Sequence, residues 1–378
     1  MPLPLADAAR SVREAIKNAT RGLVEREALA DLIILSAVAA EHLLVVGPPG
    51  TGKSAVVRRV AQAIGGRYFE YLLGRFTEPS EIFGPIDLRK LRTGTVETET
   101  TGMLPEAEVA FLDEVFLGST AVLNTLLSVL NERTFRRGHT SLRCPLRVCV
   151  GATNVLPDEE SLAAFADRFL VHVFVEPVPD YMLEDLLDGG RGINDDDECP
   201  AQSSLEQLDL LTTAAAAADL SPVRNDLAHG LRLLRKAGLQ LSDRRMVKAQ
   251  RLIAAAAVLA GRPDPTPADL WPLIDVIPTR EGQALGREVL SSMLNRSENQ
   301  TLVAAAEEAS AGPQARAGRI AEQAELLLAG EPDESMRENR LLQLEALGRE
   351  IDAGFCEETM PPALKSLRDR IAQATAVA

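Results

Sequence analysis

Gly47-Pro48-Pro49-Gly50-Thr51-Gly52-Lys53-Ser54 fits the phosphate-cradling pattern GxxxxGK[ST]. Its glycines let backbone N–H groups turn inward around a phosphate. Lys53 reaches the β- and γ-phosphates of ATP, the Ser54 hydroxyl binds Mg²⁺, and the helix that follows points its positive end at the anion. A second signal is VAFLDE (109–114), an apolar run that ends in two acids. Asp113 would hold Mg²⁺ and Glu114 would polarise the attacking water. Asn154, at the end of GATN (151–154), either orients that water or caps the next turn. Arg168 in FADRF is either a surface charge or an arginine finger, supplied by a neighbouring subunit or from elsewhere in the chain. Arg244 and Arg245, in SDRR (242–245), are either exposed or reach back to the nucleotide.

These residues need a frame. LLVVG (43–47) is a short apolar run stopped by glycine and proline, the signature of a buried parallel strand. YFEYLL (68–73), VAFLD (109–113), RVCVGA (147–152) and VHVFV (171–175) read the same way. Helical stretches lie between several of them, most clearly Ser119 to Glu132 with Leu123, Leu126, Leu127 and Leu130 on one face. Strand alternating with helix predicts a doubly wound parallel α/β sheet. Residues 5–40 read as helical. After about Pro179 the composition shifts: DDDECP (195–200) reads as an acidic linker, and the remainder reads as helix. Thr266 opens one predicted helix, with Pro267 at its first position and Asp269 completing a capping box. The expected domains are an α/β nucleotide-binding core (1–180), an α-helical lid (181–281) and a small C-terminal helical bundle (282–378), in which Leu344, Leu347 and Ile351 form a core stripe.

The chain has 378 residues, 46% of them hydrophobic and 25% charged, which suits two or three globular domains. Its net charge of −15 and 4% aromatic content speak against a nucleic-acid-binding protein with a basic surplus and stacking platforms. The four cysteines form no CxxC pair or zinc cluster and read as buried reduced thiols. No apolar run reaches the length of a membrane span, and MPLPLADAAR is not a secretory signal, so the expected location is cytoplasmic.

Together these stretches resemble the AAA+ ATPases of the MoxR group, and within it the RavA-like branch. The resemblance covers about residues 10–280. Besides the phosphate loop it rests on GRFTEPSEIFGPIDL (74–88), TGMLPEAEVAFLDEV (101–115), NTLLSVLNERTFRRG (124–138), GATN, ADRFL (166–170) and LSDRRMVKAQRLI (241–253). It implies that Lys53 and Ser54 are Walker A residues, Asp113 and Glu114 Walker B, and Asn154 sensor 1. It makes Arg168 the trans-acting finger, with Arg133 the next candidate, and Arg244 sensor 2, with Arg245 second. Residues 83–103 and 133–147 then take the place of an insert and a hairpin that face the pore of a homo-hexamer. The implied function is ATP-driven remodelling or maturation of a protein client, with a partner carrying a von Willebrand factor A (vWA) domain. The alternative is an AAA+ motor acting on nucleic acid.

Overall fold

A computed structural model describes residues 5–92, 94–157, 159–178, 183–191, 205–310, 313–329 and 362–376, with helical positions 340, 341, 343–345, 347, 348 and 351. The DDDECP linker, Cys199 and Cys356 lie outside the described residues.

The five apolar runs become β1 (Leu43–Val46), β2 (Tyr68–Leu72), β3 (Val109–Asp113), β6 (Val148–Thr153) and β7 (Val171–Phe174). All pair in parallel, in the order β2-β3-β6-β1-β7. Burial on both faces explains why β1 and β6 are apolar at nearly every position. Between β3 and β6 stands an antiparallel hairpin, β4 (Thr134–Arg137) and β5 (Thr140–Arg143).

The helical N-terminal stretch divides into α1 (Leu5–Thr20) and α2 (Glu27–Val38), separated by a turn in which Glu25 takes φ +58°. Ala8, Val12, Ala15 and Ala19 of α1 form its buried stripe, whereas α2 is buried nearly all round. α3 (Lys53–Ile64) follows the phosphate loop. The short helices α4 (Pro79–Phe83) and α5 (Leu88–Arg92) lie between β2 and β3, with an Ile86–Thr98 bridge closing the insert. His139 N–H donates to Val96 O at 2.9 Å and Thr98 N–H to Thr140 Oγ1 at 2.8 Å, tying insert to hairpin. α6 (Thr120–Glu132) is capped by Ser119, which accepts from Val122 N–H, and α7 (Glu160–Ala166) leads into Arg168.

The described residues after β7 hold helices and no strand. They are α8 (Leu183–Arg191), α9 (Leu205–Ala217), α10 (Arg224–Lys236), α11 (Asp243–Leu259), α12 (Arg280–Val289), α13 (Ser291–Leu294), α14 (Val303–Ser310), α15 (Pro313–Ala329) and a last helix, Pro362–Ala376. The helix predicted from Thr266 is only a 3-10 turn, Pro267–Asp269, followed by another at Trp271–Leu273. Its capping box is present, but Pro272 has no N–H with which to extend an α-helix. Packing changes well beyond the expected boundary at 282. Leu290, Leu294, Leu302, Ala305, Ala306 and Ala309 share one core with α2 and α11, and Ala305 N–H donates to buried Asp31 at 3.1 Å.

A separate cluster joins Ala317, Ile320 and Ala324 to Leu344, Leu347, Ile351, Leu364, Leu367 and Ile371. Leu344 is 1% exposed there, so Leu344→Ala should destabilise this small bundle by about 2–5 kcal/mol. Hydrogen exchange should show faster opening of α15 and the last helix, with protection of the sheet unchanged. Equal loss in the sheet would mean that the two clusters unfold together.

Candidate functional site

The phosphate loop leaves the C-terminal edge of the sheet at the end of β1. Gly47 N–H donates to Thr153 O at 3.1 Å, and a Cβ on Gly47 would lie 2.3 Å from Val175 O, so no other residue fits there. Gly50 and Gly52 take φ +77° and +76°, with open space where a side chain would project. Gly52 caps α3 without a side-chain bond, leaving first-turn amides for an anion. Lys53 is 7% exposed, and its Nζ donates to Gly47 O at 2.7 Å and Pro48 O at 2.9 Å. Burial holds its pKa below the usual value, while Asp113 and Glu114 oppose that shift. Pro49 is exposed, and Thr51 is buried with its hydroxyl donating to Pro48 O at 3.0 Å.

Two strand ends complete this edge. Asp113 closes β3, and Glu114 follows with φ +49°, its N–H donating to Asp113 Oδ1 at 3.0 Å. A left-handed glutamate is uncommon, and such backbone outliers gather at functional sites. Asn154, one residue beyond β6, donates from Nδ2 to Glu114 Oε1 at 2.6 Å. Burial, then the Asp113 charge, raises the Glu114 pKa, and Lys53 opposes this. The arrangement suits a general base held by an amide beside a phosphate cradle. Ser54 stands in the first turn of α3. Ser54 and Asp113 fit Mg²⁺, which takes one or two protein oxygens and fills its shell with phosphate and water. Among the described residues no group of three His, Cys, Asp or Glu side chains forms a metal cage.

Arg168 and Arg244 lie elsewhere. Arg168 precedes β7 at the N-terminal edge, and β7 alone carries the chain about 10–13 Å to the other edge. The Nε of Arg168 is buried with no hydrogen-bond partner. The start of α11 packs under the same N-terminal edge. Glu41, 1% exposed just before β1, pairs there with Lys248 and with Arg251 at 2.9 Å. Arg244 donates to Asn131 at the end of α6, so it does not reach back to the nucleotide of its own chain. Arg245 is 3% exposed and fully engaged in protein contacts. Arg133 is half-buried: its guanidinium donates to Ala40 O at 2.7 Å, and desolvation pushes its pKa down to about 10.

Arg26 was invisible to sequence reading. It is 6% exposed and donates to Thr51 O at 2.7 Å and Glu176 O at 2.8 Å, clamping the phosphate loop to the chain leaving β7. Two of its three acceptors lie 25 and 150 residues away, the third being the carbonyl of Glu25 beside it, so no local pattern marks the clamp. Arg26→Ala should weaken ATP binding about tenfold or more, in line with losing two hydrogen bonds from a charged donor, each worth about 1.5–3 kcal/mol. Titration with a fluorescent ATP analogue checks this; unchanged affinity would leave the clamp without a role in binding.

A parallel sheet in this order, a phosphate loop after β1 and an acid pair after β3, followed by a helical lid, define an AAA+ core with its lid. Residues 10–213 match the family model described as the MoxR domain in MoxR-vWA-beta-propeller ternary systems, and residues 217–285 match an AAA lid domain. The chain belongs to the MoxR family of AAA+ proteins. An uncharacterized protein of Methanocaldococcus jannaschii is 35% identical over 241 residues, 63% of this chain and 64% of its own length. Chaperone MoxR1 of Mycobacterium tuberculosis is 26% identical over 175 residues, 45% of this chain and 46% of its own. The chain thus spans less than two thirds of the length of these curated relatives. A crystal structure from Cytophaga hutchinsonii, described as that of a candidate ATPase, superposes with TM-score 0.62 at 16% identity. It covers 78% of this chain and 96% of the other, a likeness of fold.

Proposed function

We propose that this protein is an Mg²⁺-dependent ATPase of the RavA-like branch that uses hydrolysis to remodel or mature a protein client. The observation that carries this reading is the 2.6 Å contact from Asn154 to Glu114 beside the Lys53 loop. It is a positioned base next to a triphosphate cradle. Gly47 to Ser54 would hold the phosphates, and Asp113 with Ser54 would hold Mg²⁺, which supplies charge neutralisation at the β- and γ-phosphates. Glu114 takes the proton of the attacking water, and Asn154 keeps its carboxylate aimed.

The reading includes a homo-hexamer, because Arg168 and Arg244 stand on the edge opposite their own phosphate loop and serve a neighbour's. It includes a vWA-domain partner, supported by the description of the matching family model. The client is a protein, and the insert and hairpin are the surface offered to it; Phe76, 95% exposed beside the insert, belongs to that surface. ATP as fuel puts the work in the cytoplasm, and no described helix is long and apolar enough to cross a membrane.

Lys53→Ala tests the core of this reading. The variant should lose ATP binding by calorimetry and all turnover, because the phosphates lose the compact cation in the loop. Wild-type affinity in that variant would overturn the site assignment. A neighbouring reading frame with a DxSxS metal-site motif would support the vWA partner, and a purified pair that fails to associate would count against it.

A further inference from the structure

The buried guanidinium of Arg245 joins the first turn of α11 to the segment that carries Arg168. An arginine carries five N–H donors in a rigid plane, and all five are used here. Nε donates to Asp167 Oδ1 at 2.7 Å. One terminal nitrogen donates to Leu170 O at 2.9 Å and Val276 O at 2.6 Å. The other donates to Phe169 O at 2.8 Å and His172 Nε2 at 2.9 Å. His172 accepts because its Nδ1–H is committed to Pro278 O at 2.9 Å. Burial, then the Arg245 charge, lowers its pKa to about 3, so the ring is neutral at working pH.

Four of these five acceptors lie between residues 167 and 172, on both sides of Arg168. The cap of the same helix joins in, since Ser242 Oγ donates to Asp167 Oδ1 at 3.3 Å. Arg244 stands between Ser242 and Arg245 in the first turn of α11. The segment bearing Arg168 and the turn bearing Arg244 are therefore locked together by one fully satisfied group, while Arg168 keeps a buried nitrogen without a partner.

We propose that Arg245 is a positioning residue that sets Arg168 and Arg244 as one rigid unit for presentation to the nucleotide of the adjacent subunit. This rests on the reading of Arg168 as a trans-acting finger. Arginine is required for the geometry, because lysine has only three donors and no planar fork, which would leave at least two of the five acceptors unpaired.

The test assigns Arg245→Lys to a side of the subunit interface. Alone, this variant should bind a fluorescent ATP analogue as the wild type does, yet turn over ATP at least tenfold more slowly. Mixed in equal amounts with Lys53→Ala, it should regain activity, because about one interface in four then pairs its intact phosphate loop with an intact finger from the other variant. Mixed with Arg168→Ala, it should regain none, since both lesions lie on the finger side. A merely structural lesion that disables the whole subunit would not be rescued by Lys53→Ala. Wild-type turnover in Arg245→Lys, absence of rescue by Lys53→Ala, or rescue by Arg168→Ala would each overturn the inference. The pair Lys53→Ala with Arg168→Ala is the control: if it fails to recover activity in confirmed mixed rings, the trans reading falls and this inference with it. If Arg245→Lys does not fold, Asp167→Asn takes its place. It should show a smaller loss with the same pattern of rescue, and unchanged turnover there would overturn the inference.

Discussion

Arg168→Ala is expected to bind ATP nearly as the wild type does and to hydrolyse it about 10³–10⁵-fold more slowly, the range seen where an arginine finger is removed. The phosphate loop side supplies Lys53 and Glu114 around the place of the γ-phosphate, and Arg26, a second cation close by, is committed to Thr51 O and Glu176 O. Charge builds there in the transition state, so a further positive group is worth most at that point. Arg168 stands at the other edge of its own sheet with an unpartnered nitrogen, and in the trans reading a neighbouring chain brings its phosphate loop to it. Specific activity should therefore rise with protein concentration. Mixing Lys53→Ala with Arg168→Ala should restore partial turnover to two inactive preparations. No recovery, with mixed assembly confirmed by mass photometry, would remove Arg168 from the mechanism. Arg133, half-buried and held by Ala40 O, would then be the next residue to test.

Glu114→Gln is the second large effect. Glutamine keeps the shape and can still meet Asn154, but it cannot take a proton, so ATP should bind while turnover falls about 10²–10⁴-fold. Trapping of the ATP-bound state, read by retention of radiolabelled ATP, is the companion observation. The wild-type rate should also fall on acidification at a pH above the usual glutamate range. The sign follows from the cause: burial and the Asp113 charge raise the Glu114 pKa, and the base works only when ionised, so activity is present above that pKa and lost below it. Wild-type turnover in the glutamine variant would show that another group activates water.

The parts of this protein written in local pattern were legible from the chain alone. GPPGTGKS is contiguous, because a phosphate is wrapped by consecutive amides. The five strands are short apolar runs, because parallel strands are covered on both faces. VAFLDE and GATN carry their acids and amide at strand ends, where a parallel sheet gathers them onto one edge. The Leu344, Leu347 and Ile351 stripe announced a core, although not where that core separates from the rest. What depended on packing between distant segments was not legible. The full or partial burial of Arg26, Arg133 and Arg245 looks no different in sequence from the exposure of any other arginine. Most of their partners are carbonyl oxygens, which every residue has, and the two side chains that Arg245 also meets, Asp167 and His172, lie more than 70 residues away, so local pattern leaves no trace of the contact. The lid position was likewise decided by tertiary structure. Glu41 binds Lys248 and Arg251 across more than 200 residues, and this draws the start of α11 under the N-terminal edge. Local sequence pattern alone therefore singled out the residues proposed to cradle a phosphate and activate water; only the folded chain decided that Arg168 and Arg244 stand at the edge opposite their own phosphate loop, because side-chain placement across a sheet depends on which element packs against which edge.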